Sequence, residues 1–115
     1  MESVMNIYKA LADPTRLRIA LVLKRRALCV CELVVVLNLP QPTVSRHLGK
    51  LRDANLVRIN RDAKFVTYSL TDDAFVAQLV DATAERLSED PQIAADHSRM
   101  ADREELRDIY RREYR

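Results

Sequence analysis

The sequence predicts a mainly α-helical fold with one small β-hairpin, and three observations carry that prediction. Only one glycine occurs in 115 residues, too few for a sheet-rich chain whose hairpins want glycine at positive φ. Apolar residues recur at spacings of three and four along most of the chain, the helical period. Between residues 56 and 70 the period shifts towards alternation, with β-branched and aromatic types, before it reverts. The glycine count also excludes phosphate-cradling nucleotide loops, which need several residues without a Cβ. At 48% hydrophobic and 31% charged, the chain is expected to form one folded domain over residues 1–115.

The elements follow in order. Val4, Ile7, Tyr8 and Leu11 make the stripe of a short amphipathic helix. Asp13-Pro14-Thr15 then starts a second: the acid accepts from free amides, and proline suits the first turn because its missing N–H had no partner there. Leu17, Ile19, Ala20, Leu21, Val22 and Leu23 fill its wide apolar face, and Lys24, Arg25 and Arg26 suit its C-terminus. A third helix, Cys29 to Leu37, is broken by Asn38 and the Pro40-Gln41-Pro42 stretch. A fourth runs through Val44, Leu48 and Leu51 to about Asn55. Two helices joined by a turn of about four residues have helix-turn-helix spacing, over about 29–55.

Val57 and Ile59, then Phe65, Val66, Tyr68 and Leu70, predict a hairpin over about 56–70 with a basic tip. A basic hairpin after a helix-turn-helix is a wing, so the expected architecture is a winged helix-turn-helix. Thr71-Asp72-Asp73 caps a further helix, with Phe75, Val76, Leu79, Val80 and Leu87 as its buried face. Ser88 to His97, with Pro91, is read as a break or short loop. The end, REELRDIYRREYR, is helical by charge spacing but has a thin apolar stripe of Leu106, Ile109 and Tyr110; it either docks on a partner chain or frays. Residues 71–115 are thus read as dimerisation and tail helices.

Net charge is only +2 but is polarised. Arg46, Lys50, Arg52, Arg58, Arg61 and Lys64 face only Asp53 and Asp62 between residues 41 and 64, whereas residues 71–98 hold seven acids and Arg86 alone. One anion-facing surface is expected. On the fourth helix, Val44, Leu48 and Leu51 take the buried side, leaving Gln41, Thr43, Ser45, Arg46, His47 and Lys50 around the rest. These combine hydrogen-bonding groups for base edges with cations for phosphates, as a recognition helix does. Arg61 and Lys64 would reach the backbone or minor groove beside it. An ordinary solvated basic face is the bland alternative, and the agreeing short helix, hairpin and local charge weigh against it. So small a reader of double-stranded operator DNA needs a second copy, with half-sites about 34–36 Å apart on a palindrome. A homodimer is expected, formed by the first helix and the helix after Thr71.

The cysteines are Cys29 and Cys31 alone. Inside a helix, residues two apart point about 200° from each other, so their sulfurs are not expected to converge, nor to form an ordinary disulfide. Burial as small hydrophobes is the commonest fate of free cysteine. A helix start and the upstream Arg25 and Arg26 favour thiolate instead. A soft thiophile such as As(III) or Sb(III) would then have to distort the first turn of the helix supporting the recognition helix. No apolar run approaches the ~20 residues of a membrane span, and the N-terminus lacks the order of a secretory signal. A cytoplasmic protein with no membrane partner is expected.

LADPTRLRIALVL, ALCVCELV, QPTVSRHLGKLRDANLV and RDAKFVTYSL, in that order, resemble the ArsR/SmtB family of winged-helix metalloregulatory repressors over roughly residues 4–88. The resemblance implies a homodimer that represses its own resistance operon until inducer binds. The Cys-Val-Cys motif resembles the arsenic-responsive branch, which often has a third cysteine where this chain has Val34. Each subunit then offers two sulfurs, and the third position on arsenic falls to water, a small thiol or an oxygen ligand. The N-terminal cysteines of the cadmium and lead branch are absent, as is any histidine between Thr71 and Ser88 for the zinc branch; Asp81, Glu85 and His97 are read as surface residues.

The leading expectation is a repressor released from DNA by arsenite or antimonite at Cys29 and Cys31, with no cofactor required. Its alternative keeps DNA binding and gives the thiols to redox or another signal. An enzyme is not expected, because Cys29 and His47 on a DNA-binding motif make a poor substrate cleft.

Overall fold

A computed structural model describes residues 1–62 and 64–115. Ala63, in the expected basic tip, lies outside the described residues. The chain runs α1 (Glu2–Leu11), α2 (Pro14–Leu23), α3 (Val30–Leu37), α4 (Gln41–Asp53), β1 (Val57–Arg61), β2 (Val66–Leu70), α5 (Ala74–Arg86), α6 (Pro91–Ser98) and α7 (Arg103–Ile109). A π-helical turn, Tyr110–Tyr114, prolongs α7.

Helix starts follow one chemistry. Asp13 accepts from the Arg16 amide at 3.0 Å, Asp73 from Phe75 and Val76, Asp90 from Gln92 and Ile93, and Asp102 from Glu105. Each such cap is worth about 1 kcal/mol. Asp90-Pro91 repeats the Asp13-Pro14 signal, and the expected loop over 88–97 is in fact α6: proline there opens a helix. Glycine is replaced where the chain must turn left-handed. Asn38 (φ 55°) ends α3 and Asn55 (φ 60°) follows α4, as asparagine tolerates that region better than other residues with a Cβ.

One apolar cluster unites the helices. Ile19, Val22, Leu28, Leu33, Val36, Val44, Leu51 and Leu56 are fully shielded, and Val76, Val80, Ile93 and Leu106 join from the C-terminal helices. The terminal segment does not fray: α7 and its π turn pack along α3, with Leu106 buried and the Tyr114 hydroxyl 2.8 Å from Asn38 Oδ1. Asp96, 1% exposed, anchors α6 by accepting from both Arg18 and Arg99. Those arginines also donate to the Leu37 and Val36 carbonyls, orphaned at the end of α3. His97, read as a surface residue, is half-buried, with Nε2 unpartnered among the described residues. Burial first, then Arg25, holds its pKa below the usual histidine value.

β1 and β2 pair antiparallel from Val57↔Leu70 to Arg61↔Val66. Leu28 adds a third rung, exchanging backbone hydrogen bonds with Tyr68 at 3.1 and 2.8 Å. The residue before Cys29 is therefore clipped to the hairpin. Not every expected core residue is inside: Val4, Tyr8 and Phe75 stay exposed, Tyr8 at 49%.

Candidate nucleic-acid interface and thiol pair

α3, the turn Asn38–Pro40 and α4 form the helix-turn-helix. Val44, Leu48 and Leu51 seat α4 on the core, leaving Gln41, Arg46 and Lys50 exposed and Thr43 and Ser45 half-exposed. The Gln41 amide donates to Ser45 Oγ at 2.7 Å, which orders the start of this face. Arg61 and Lys64 are exposed on the hairpin. The basic face of α4 and the basic hairpin are therefore both open to solvent.

His47 is the exception. It was expected among the outward residues, yet it is 8% exposed, with Nδ1 3.3 Å from the Arg16 guanidinium. Arg16 also donates to the Ala10 carbonyl at 2.8 Å. Since arginine can only donate, Nδ1 accepts. Burial, and then the cations Arg46, Arg16 and Lys50 against the opposing pull of Asp13, keep the ring's pKa low and the ring neutral. His47 thus fastens α4 to the start of α2 and presents little of its surface outward. Lys9 of α1, which carries no signal of its own in the sequence, lines a cleft between α1 and α4 with Arg16 and Lys50. Only the tertiary fold brings that lysine to the recognition helix.

The cysteines differ from expectation in geometry. Cys29 is not inside α3 but is its N-cap, with extended backbone at φ −85° and ψ 169°. That conformation swings its sulfur to 2.9 Å from the sulfur of Cys31, and both cysteines are free. The helical period that predicted divergence applies only between two helical residues. Glu32, 1% exposed, closes a capping box by accepting from the Cys29 amide at 2.9 Å, and its other oxygen lies 3.3 Å from Arg103 Nε.

Electrically the pair divides its roles. The hydrogen bond between the two sulfurs, with burial, raises the pKa of Cys29 far above the usual thiol value. The same bond, helped by the Arg107 guanidinium, lowers Cys31 to about 7. Cys31 is the more acidic thiol of the pair. Among the described residues no three His, Cys, Asp or Glu side chains cluster to hold a metal ion. No helix there is long and apolar enough to cross a membrane.

This is the architecture of a winged-helix DNA-binding protein. Residues 13–58 match the family described as "Bacterial regulatory protein, arsR family". The chain is 43% identical to the arsenic resistance transcriptional regulator ArsR1 of Pseudomonas putida over 91 residues, covering 73% of this chain and 71% of that one. It is 40% identical to the arsenical resistance operon repressor of Escherichia coli, covering 67% and 68%. Among solved structures it resembles HlyU from Vibrio cholerae (TM-score 0.71, 30% identity, 76% of this chain and 95% of that one). It also resembles the transcriptional repressor BigR from Xylella fastidiosa (0.70, 33%, 78% and 88%). The chain belongs to the ArsR/SmtB family of winged-helix transcriptional repressors; it is a DNA-binding regulator and not an enzyme.

Proposed function

We propose that the chain is a homodimeric cytoplasmic repressor of a resistance operon, released from its operator when arsenite or antimonite binds Cys29 and Cys31. The observation that carries this reading is the 2.9 Å contact between two free sulfurs at the N-cap of α3. Two converging thiols suit a soft trivalent centre. No distortion is needed to bring them together, which revises the expected mechanism. Binding exchanges two As–OH bonds for two As–S bonds, the hydroxyls leaving as water, and resets the Cys29 side chain at the cap of α3. Leu28, one residue upstream, is hydrogen-bonded to the wing at Tyr68. Movement of the cap then reaches both the helix supporting α4 and the hairpin.

Arg46, Lys50, Arg61 and Lys64 neutralise phosphates in this reading, Gln41, Thr43 and Ser45 touch base edges or phosphates, and Lys9 adds a phosphate contact. α1 and α5 form the dimer, since Tyr8 and Phe75 meet edge to face with centroids 6.2 Å apart on an exposed patch. A mobility shift on the promoter of its own gene tests the whole. Arsenite is expected to abolish the parent's shift, while Cys29→Ser and Cys31→Ser proteins still bind DNA and no longer respond. Parent-like responses from both variants overturn the assignment.

A second reading, thiol oxidation as the signal, draws on the same contact and on the Cys31 thiolate. Among similar structures one is described as reduced HlyU. Release by peroxide without release by arsenite favours it.

A further inference from the structure

A cleft of about 240 Å³ opens beside Cys31, lined by Arg107, Tyr110, Arg111 and Arg115 of the C-terminal segment. Its volume is several times the ~30 Å³ share of one water molecule, so it has room for more than solvent. Its side chains are mostly cationic: three guanidiniums, which only donate, and a phenol, which donates or accepts, around a single sulfur. Arg111 is paired with Asp108, whereas Arg107 and Arg115 have no acidic partner among the described residues. Arg107 is held in place by stacking on Phe65, 4.1 Å from the ring centroid, and its Nε is buried without a hydrogen-bond partner.

The thiol pair leaves a matching deficit. A trivalent centre takes three ligands and the chain has two cysteines; Val34, one turn further along α3, is buried and apolar. We propose that this cleft binds an anionic low-molecular-weight thiol, whose sulfur is the third ligand on arsenic and whose carboxylates pair with Arg107, Arg111 and Arg115. The proposal rests on the arsenite reading of the thiol pair. The chemistry is ligand exchange without electron transfer. Each As–OH bond of arsenite is replaced by an As–S bond, two to the protein and one to the external thiol. The S–H protons, or one taken from solvent where Cys31 enters as thiolate, leave with the three hydroxyls as water, and arsenic stays trivalent. Carboxylates in the guanidinium cleft form charge-assisted hydrogen bonds that a neutral thiol cannot make.

The test titrates the full chain with arsenite in reduced glutathione or in its diethyl ester, which has the same thiol without carboxylate charge. Native mass spectrometry reads the adduct. A complex of one chain, one arsenic and one glutathione is expected, with arsenite held about tenfold more tightly in glutathione than in the ester. Arg107→Gln and Arg115→Glu are expected to bring that ratio below about threefold. Arg115 is exposed, so its variant reports on the cleft without disturbing the core. Equal retention in the two thiols overturns the proposal while the arsenite reading stands, as does a glutathione adduct indifferent to both variants or an adduct in which Tyr110 or water completes the arsenic. Absence of arsenite uptake in either thiol overturns the reading beneath it, and the proposal with it.

Discussion

At the scale of single residues, the consequential choice is that Cys29 stands at the N-cap and Cys31 in the first turn. Their sulfurs are hydrogen-bonded, and Cys31 is the more acidic, with its pKa lowered to about 7. A lowered thiol pKa means the reactive form is gained as pH rises. Alkylation of Cys31 should therefore accelerate through pH 7 and level off above it, well below an ordinary cysteine's range near 8.5. Mapping iodoacetamide adducts against pH checks this. Cys29→Ala removes that hydrogen bond, and the midpoint at Cys31 should move up. The Cys-Val-Cys motif was legible as a candidate thiophile site. Its convergence was not, because the period of 3.6 residues cannot say which residue is still outside the helix.

At the scale of elements, α4 shows both the reach of sequence reasoning and its limit. Its basic outer face and apolar inner face were readable from spacing alone. His47 was not, since its burial depends on Arg16 arriving from α2, thirty-one positions away. Gly49 is the chain's single glycine, and it lies mid-helix with open space around its missing Cβ. Close packing does not explain it. Gly49→Ala should raise unfolding stability by up to about 1 kcal/mol through helix propensity, measured by urea titration. No gain would mean that α4 does not behave as a simple solvent-exposed helix at that position. α6 departs from the sequence expectation for a different reason: proline reads as a breaker, yet with Asp90 before it Pro91 opens a helix. The C-terminal segment has a thin apolar stripe and still packs tightly, because Arg103 meets buried Glu32 and both Arg103 and Arg107 stack on Phe65.

At the scale of the molecule, the described chain buries most of its apolar side chains but leaves Val4, Met5 and Tyr8 of α1 and Phe75 of α5 exposed, with Tyr8 and Phe75 in contact. Exposed aromatic patches of this kind mark interfaces. If a second copy covers it, Tyr8→Glu with Phe75→Glu should sediment as a folded monomer and bind operator DNA at least about tenfold more weakly. The substitutions sit at exposed positions, so circular dichroism should show unchanged helix content. A dimeric double variant would place the interface elsewhere.

By itself the sequence determined the order of helices, the helix-turn-helix, the hairpin and the polarised charge, because periodicity, caps and turn residues are local signals written within a few positions of where they act. Only the tertiary structure decided which polar side chains those elements spend on one another: His47 on Arg16, Asp96 on Arg18 and Arg99, Glu32 on Arg103. It also set the cationic rim of Arg107, Arg111 and Arg115 beside Cys31. Apart from Asp96 with Arg99, three positions apart, those pairings join residues distant in sequence, and burial makes each group's partner a matter of which surfaces meet.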